Sequence, residues 1–442
     1  MSAPAMLAVP PIGIPAASAS VADGYLFGKG RTFQTFSLLC LLMVFDFADR
    51  MILAALIPAI KAEWLISDAT AGLLGSLLTL GMVLFAFPAS FVIDRWSRIK
   101  TASLMGVLWS IASAVGALAQ SVGQLAVSRA FVGIGEAGYA PAAYAWIAAA
   151  FPRRRLQLAL GTFSAAQPIG MAFGVALGGY VAAHYGWRHA LGIVALPGLF
   201  IALWLYRGRD YKNLPQRSAE VEVDGSIIPT RAAAVLRKPS LLLAYLGAAM
   251  GTLQWVPLVF FLPSFLNRAH AIPVQTASLL TSGILLLSIV GVPLGGWAMD
   301  RWSLRHDRAK LIWPAIAGSL ATLLYGAAFG LVEDFSLQYG LIMAAVFVGS
   351  TAGTGPLAMT QELVHPAIRA FSGTCSVVTI HLLGSVPGPF LAGLLSDHFG
   401  LRHALLVLPL ASGLLQLIAL LFALRYYRRD LARVGCYTLE SA

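Results

Sequence analysis

Ile93-Asp94-Arg95-Trp96-Ser97 and Met299-Asp300-Arg301-Trp302-Ser303 share the run Asp-Arg-Trp-Ser, 206 positions apart. Each copy follows a long apolar stretch and precedes another. A second pair obeys a similar interval. His184-Tyr185-Gly186-Trp187-Arg188-His189-Ala190-Leu191 returns 214 positions later as His398-Phe399-Gly400-Leu401-Arg402-His403-Ala404-Leu405. Pro152 and Arg155 return at that same interval as Pro366 and Arg369. The order is kept, so the chain is a tandem duplication of one large unit.

Composition fixes the medium in which that unit folds. Of 442 residues, 58% are hydrophobic and 11% charged, with mean hydropathy +0.79. A soluble protein carries about 25% charged residues, so this surface belongs in lipid. Apolar runs of spanning length lie at 34–60, 69–93, 101–119, 122–150, 157–183 and 189–206, then at 240–266, 275–299, 310–331, 335–361, 370–396 and 403–426. The reading is an all-α membrane protein with twelve transmembrane helices in two parallel six-helix halves. A flexible tail (1–32) without Lys or Arg before Lys29 precedes the first half (33–206). A charged linker (207–238) leads to the second half (239–427) and a short tail (428–442). Having no basic n-region, the first tail does not read as a cleaved signal, and the first span is retained.

The net charge of +11 does not point to nucleic acid, because of where it sits. With both termini cytoplasmic, 24 of the 30 Lys and Arg residues fall on that side. Lys61, Arg188, Arg268 and Arg402 fall on the other, as the positive-inside rule requires. Short outer loops without an Asn-x-Ser/Thr acceptor fit a bacterial inner membrane, and a monomer is expected. Cys40, Cys375 and Cys436 are too scattered for a disulfide framework or metal cluster. No phosphate-binding Gly-rich loop ending in Gly-Lys-Ser/Thr occurs, nor does a hydrolase or metalloprotease constellation. The sequence implies no cofactor and no enzyme activity.

Val132-Gly133-Ile134-Gly135-Glu136-Ala137-Gly138 matches the dinucleotide fingerprint letter for letter, but no strand precedes it. Inside a membrane span its glycines read as helix packing. Glu136 remains to be explained. Seven residues earlier on the same face is Arg129, its expected partner. On span 1, Asp46, Asp49 and Arg50 also share a face. Ionisable groups at mid-membrane cost at least about 2.5–3.5 kcal/mol each and mark function. Glu136, Asp49 and Asp46 are the candidate proton carriers; Arg50 and Arg129 are candidate contacts for an anionic substrate. In the second half Ser350 and Met343 occupy the places of Glu136 and Arg129. The charge is therefore not architectural symmetry but belongs to one half. Gln254 and Trp255 on span 7 and His381 on span 11 are candidate lining residues of a central cavity. Asp94, Arg95 and Arg98, with Asp300 and Arg301, are candidate gate residues between the halves.

These loops resemble the acidic-basic signature of the major facilitator superfamily over residues 34–427. Within it, Ala48-Asp49-Arg50, Leu56-Ile57-Pro58-Ala59-Ile60, the run from Arg129 to Tyr139 and Tyr185-Gly186-Trp187-Arg188 resemble spinster-like transporters. The resemblance implies alternating access driven by protons. It implies a lysolipid-like or sphingoid anion as substrate, contacted by Asp49, Arg50, Arg129 and Glu136. Sugar-acid symporters of the anion:cation symporter group share a similar Asp-Arg and Arg-Glu arrangement and form the alternative. A non-transporting receptor is the alternative of another class. Val175 stands where the family's antiporter signature on span 5 has proline.

Overall fold

A computed structural model describes residues 24–211, 235–353, 355, 359, 362–364 and 369–432; at 87, 90–92, 94, 95, 370 and 371 it describes the backbone only. The first half comprises α1 (Lys29–Trp64), α2 (Asp68–Arg95), α3 (Arg98–Ala117), α4 (Val122–Glu136), α5 (Tyr139–Ala150), α6 (Arg153–Tyr185) and α7 (Trp187–Leu205). The second comprises α8 (Pro239–His270), α9 (Val274–Ser303), α10 (Ala309–Gly330), α11 (Phe335–Ser350), α12 (Arg369–Ile380), α13 (Pro387–Phe399) and α14 (Leu401–Ala432). Among the described residues there is no strand, and nine helices are long and apolar enough to cross a membrane. The three spans that miss that threshold are informative. α1 is long but carries Asp46, Asp49 and Arg50 at its middle, and it runs on unbroken through Pro58. Spans 4 and 10 are interrupted.

Span 4 was expected to be continuous over 122–150; instead it divides at Ala137-Gly138. Pro141 supplies the reason, since its ring would strike the carbonyl four residues back and it has no N–H to give. Span 10 stops at Ser350, the residue 214 positions after Glu136. The duplicated halves therefore share the interruption but not the acid. Span 11 bends through a π turn at His381–Ser385, closed by Val386 N–H donating to the His381 carbonyl at 2.8 Å. Pro387 and Pro389, which cannot donate, follow directly.

The second repeat also has a structural meaning. Gly186 and Gly400 take φ of 87° and 83°, values that side chains avoid. Each begins the helix that carries the following arginine. Arg188 donates to the Ala119 carbonyl at 3.1 Å, and Arg402 donates to the Phe329 carbonyl at 2.8 Å. In each half, a cation thus closes the carbonyl end of the third span, where the helix dipole favours it.

The halves meet along spans 2 and 11 and along spans 5 and 8. Gly72 lies against the Pro389 backbone and Gly393 against that of Asp68, with no room for a methyl group at either. The core crosses the seam on the side away from the termini. There Ile52, Leu56 and Leu74 pack with Phe260, Phe261 and Phe265. Toward the termini the cores are separate. Leu39, Trp146 and Phe163 belong to one half, and Leu241, Tyr245 and Tyr427 to the other. The molecule is closed at its far face and parted at its terminal face.

The glycine motif is a packing device. A Cβ at Gly133 would overlap the Leu78 carbonyl, and one at Gly135 would press on the Trp109 backbone. Gly133→Leu should therefore lower stability by at least about 2 kcal/mol, read as a fall in the thermal midpoint in detergent. Gly123→Ala on the same helix meets nothing within 4 Å and should leave that midpoint unchanged.

Candidate transport site

Five ionisable groups from α1 and α4 meet beside the seam. Arg50 Nη2 lies 2.8 Å from Glu136 Oε2 and 3.5 Å from Asp46 Oδ2. Arg129 Nη1 lies 3.6 Å from Asp49 Oδ2, and its Nη2 donates to Ser113 Oγ at 3.2 Å. Ser113 in turn donates to Asp49. The sequence brought the right residues together but paired them wrongly. Glu136 faces Arg50 across helices, and Arg129 serves Asp49. On one helix, seven residues separate Arg129 from Glu136 by about 10 Å of rise; the long Arg50 side chain from α1 enters between.

The cluster is dry. Exposures are 2% for Asp46, 1% for Asp49, 0% for Arg129 and 4% for Glu136. Only Arg50, 17% exposed at its side chain, reaches the space between the halves. Three carboxylates face two guanidinium groups, one proton short of neutrality. Neither Glu136 oxygen makes a hydrogen bond of good geometry, and Asp46 Oδ1, Arg50 Nε and Arg129 Nε also lack partners. Buried charges satisfied this incompletely are costly in a low dielectric. A proton on one acid relieves the imbalance; an anion on Arg50 deepens it unless a proton comes with it.

Around Arg50 the wall is apolar. Its guanidinium stacks on Phe47 at 4.5 Å. Phe47, Met51 and Trp255 border a small core of Met171, Val175, Val259 and Leu285 drawn from both halves. Trp255 therefore stands at the seam. Gln254 does not. It is 4% exposed and donates to Thr322 Oγ1 at 2.6 Å within the second half. On a helix apolar all round, the sequence offered no way to choose the cavity-facing side. His381 opens the π turn, with Nδ1 3.1 Å from Ser385 Oγ, within Coulombic range of Arg50.

The expected gate is seen only in part. The side chains of Asp94 and Arg95 lie outside the described residues. Arg98 is turned into its own half, 4.2 Å over the Tyr211 ring, beside Asp210, which accepts from Ser97 Oγ at 2.6 Å. It thus fastens the chain after span 6 and does not reach the seam. Asp300 and Arg301 are exposed. A polar closure that sequence reasoning missed lies at the far face. Arg268 donates to both Asp68 oxygens at 2.7 and 2.8 Å, Lys61 at 2.5 Å and Ser396 at 2.6 Å. Asp397 accepts from the backbone N–H of Asp68 and Ala69 at 2.7 and 2.9 Å, capping α2 from the opposite half. Asp68 and Arg268 lie 200 positions apart, so no local pattern signalled the pairing.

Two six-helix halves, parted at one face, with a buried charge cluster in the first half beside the seam, have the architecture of a secondary transporter. The Major Facilitator Superfamily model matches residues 39–374, and the chain belongs to that superfamily; it is a transporter and not an enzyme. Within it the chain is similar to spinster proteins. It is similar to an MFS-type efflux pump of Mycolicibacterium smegmatis, 28% identical over 91% of this chain and 95% of the pump. It is 26% identical to a spinster homologue of Arabidopsis thaliana named as a probable sphingolipid transporter, over 77% of this chain and 74% of that protein. Its fold is that of a bacterial homologue of the human lysosomal transporter Spinster in an inward-facing, occupied crystal structure. The TM-score is 0.79 at 21% identity, covering 91% of this chain and 99% of that one.

Proposed function

We propose that the protein moves an anionic amphiphile across a bacterial inner membrane together with a proton, by alternating access. The observation that carries this reading is Arg50. It is the one cluster member open to the seam, it holds Glu136 at 2.8 Å, and it sits on an apolar wall of Phe47, Met51 and Trp255. A headgroup anion on Arg50 competes with Glu136. A carboxylate displaced from its cation in a dry site takes up a proton. Anion and proton then travel together. The hydrocarbon part of the substrate lies on the Phe47–Trp255 wall, which a sugar acid would leave dry and unused. The sphingolipid name of the Arabidopsis relative supports a lipid-like cargo. The excess of basic residues at the terminal face supports a cytoplasmic orientation for it.

Proteoliposomes test the reading with two probes of like charge, a lysophosphatidate and a hexuronate. Wild-type protein should accumulate the lysophosphatidate when a proton gradient is imposed and ignore the hexuronate. Glu136→Gln, a mimic of the protonated acid, should keep binding and exchange but lose the response to the gradient. Arg50→Ala should weaken binding about 10- to 100-fold, as expected on losing a charge-assisted contact. Gradient-driven accumulation by Glu136→Gln would remove Glu136 as the proton carrier. Preference for the hexuronate would replace the amphiphile with a sugar acid.

A further inference from the structure

We propose a second anion site, remote from the transport site, that holds a phosphate group at the terminal face of the second half. A pocket of about 280 Å³ lies between the α9–α10 turn and the end of α14. Arg305, His306 and Arg308 line it from the turn, Arg428 from α14, and Trp302 and Ile312 complete its apolar side. Asp307 is the single carboxylate among these residues, so three guanidinium groups face one acid.

Among the described residues, the side chains of the three arginines make no hydrogen bond or ion pair, and Arg308 Nε is buried without a partner. Unpaired guanidinium groups lining one pocket repel one another, and an oxyanion shared between them removes that repulsion. The start of α10 adds to the field. Arg308 is its N-cap residue, no side chain caps that end, and its first turn holds no acid. The positive end of a 22-residue helix is thus left for an anion.

The depth of the pocket narrows the ligand. It opens at the ends of three spans, where lipid headgroups lie. Trp302, half-buried beside His306 at 6.2 Å, belongs to a residue type that settles at that level. The chemistry is a phosphate oxyanion, carried either by an anionic phospholipid headgroup or by free phosphate. Trp302 also belongs to the Asp-Arg-Trp-Ser repeat. An occupied pocket would therefore tie that loop to the end of the last span.

The test uses the full-length protein in lipid-free detergent, titrated separately with phosphatidylglycerol, phosphatidylcholine and inorganic phosphate. Native mass spectrometry and the thermal midpoint are the readouts. Phosphatidylglycerol should be retained and should raise the midpoint, with phosphatidylcholine clearly weaker. Arg308→Gln and Arg428→Gln should each weaken retention about five-fold. Arg428 is exposed, so Arg428→Gln keeps the fold and carries the test should Arg308→Gln destabilise it. Displacement of the lipid by millimolar phosphate, with equal protection, would support the site and make its ligand soluble. Equal retention of phosphatidylglycerol by wild type and both variants, or no binding of either phosphate source, would overturn it.

Discussion

Replacing Arg129 with alanine should cost about 3–5 kcal/mol of stability, because it leaves a buried carboxylate without its cation. The carboxylate is Asp49, 3.6 Å away and 1% exposed. Only a second substitution separates this pairing from the alternative in which Arg129 serves Glu136. Asp49→Asn should restore much of the loss in the Arg129→Ala background, since the uncompensated charge disappears. Glu136→Gln in that background should restore little, because Glu136 keeps Arg50. Thermal unfolding of wild type, the three single variants and the two doubles in one detergent, treated as two double-mutant cycles, measures the difference. Rescue by Glu136→Gln and not by Asp49→Asn would mean that the partners are exchanged.

Asp68→Ala should shift the molecule from its far-closed form toward the far-open one by about 2 kcal/mol, roughly thirty-fold in the ratio of states. Asp68 receives charged donors from Arg268 and Lys61 and a hydroxyl from Ser396. The figure is set at the low end of charge-assisted bonds because the Arg268 side chain is 36% exposed and water screens it. Spin labels at Leu118 and Leu331, 77% and 84% exposed at far-face turns of opposite halves, report the separation. In the variant the long-distance population should grow, and transport should become limited by return to the terminal-open form. An unchanged distance distribution would reduce the Asp68 cluster to a surface ion pair.

The sequence made twelve spans and two halves legible because hydropathy and a repeated motif are one-dimensional signals. It also located the charge cluster, since a polar residue in lipid stands out wherever it points. The partners within that cluster were not legible. Pairing depends on how α1 and α4 are rotated against one another, and a seven-residue spacing on one helix says nothing of an arginine arriving from another. Gln254 shows the same limit: α8 is mostly buried, so its pattern has no wet side to mark the cavity. The far closure was hidden because Asp68, Arg268 and Asp397 are single charges at span ends, where they read as topology signals. The break in span 4 had only a weak signal: Pro141 lies five residues beyond Glu136 and can interrupt a helix, yet Pro58 and Pro168 sit inside unbroken ones.

α1 joins both ends of the machinery in one piece of chain. Arg50 is in the charge cluster, Lys61 holds Asp68 at the far closure, and eleven residues of helix place them about 16 Å apart along the axis. Between them sits Pro58, which donates no bond to the preceding turn. The rod is therefore stiff on either side and compliant at one point. In the proposed cycle, where Glu136 takes a proton and Arg50 turns to its ligand, the central part of the rod can swing about that joint. Lys61 then feels the movement as a change of angle, not as a pull along the axis. A lever hinged in this way lets the far closure loosen by degrees while the central helix bonds stay whole.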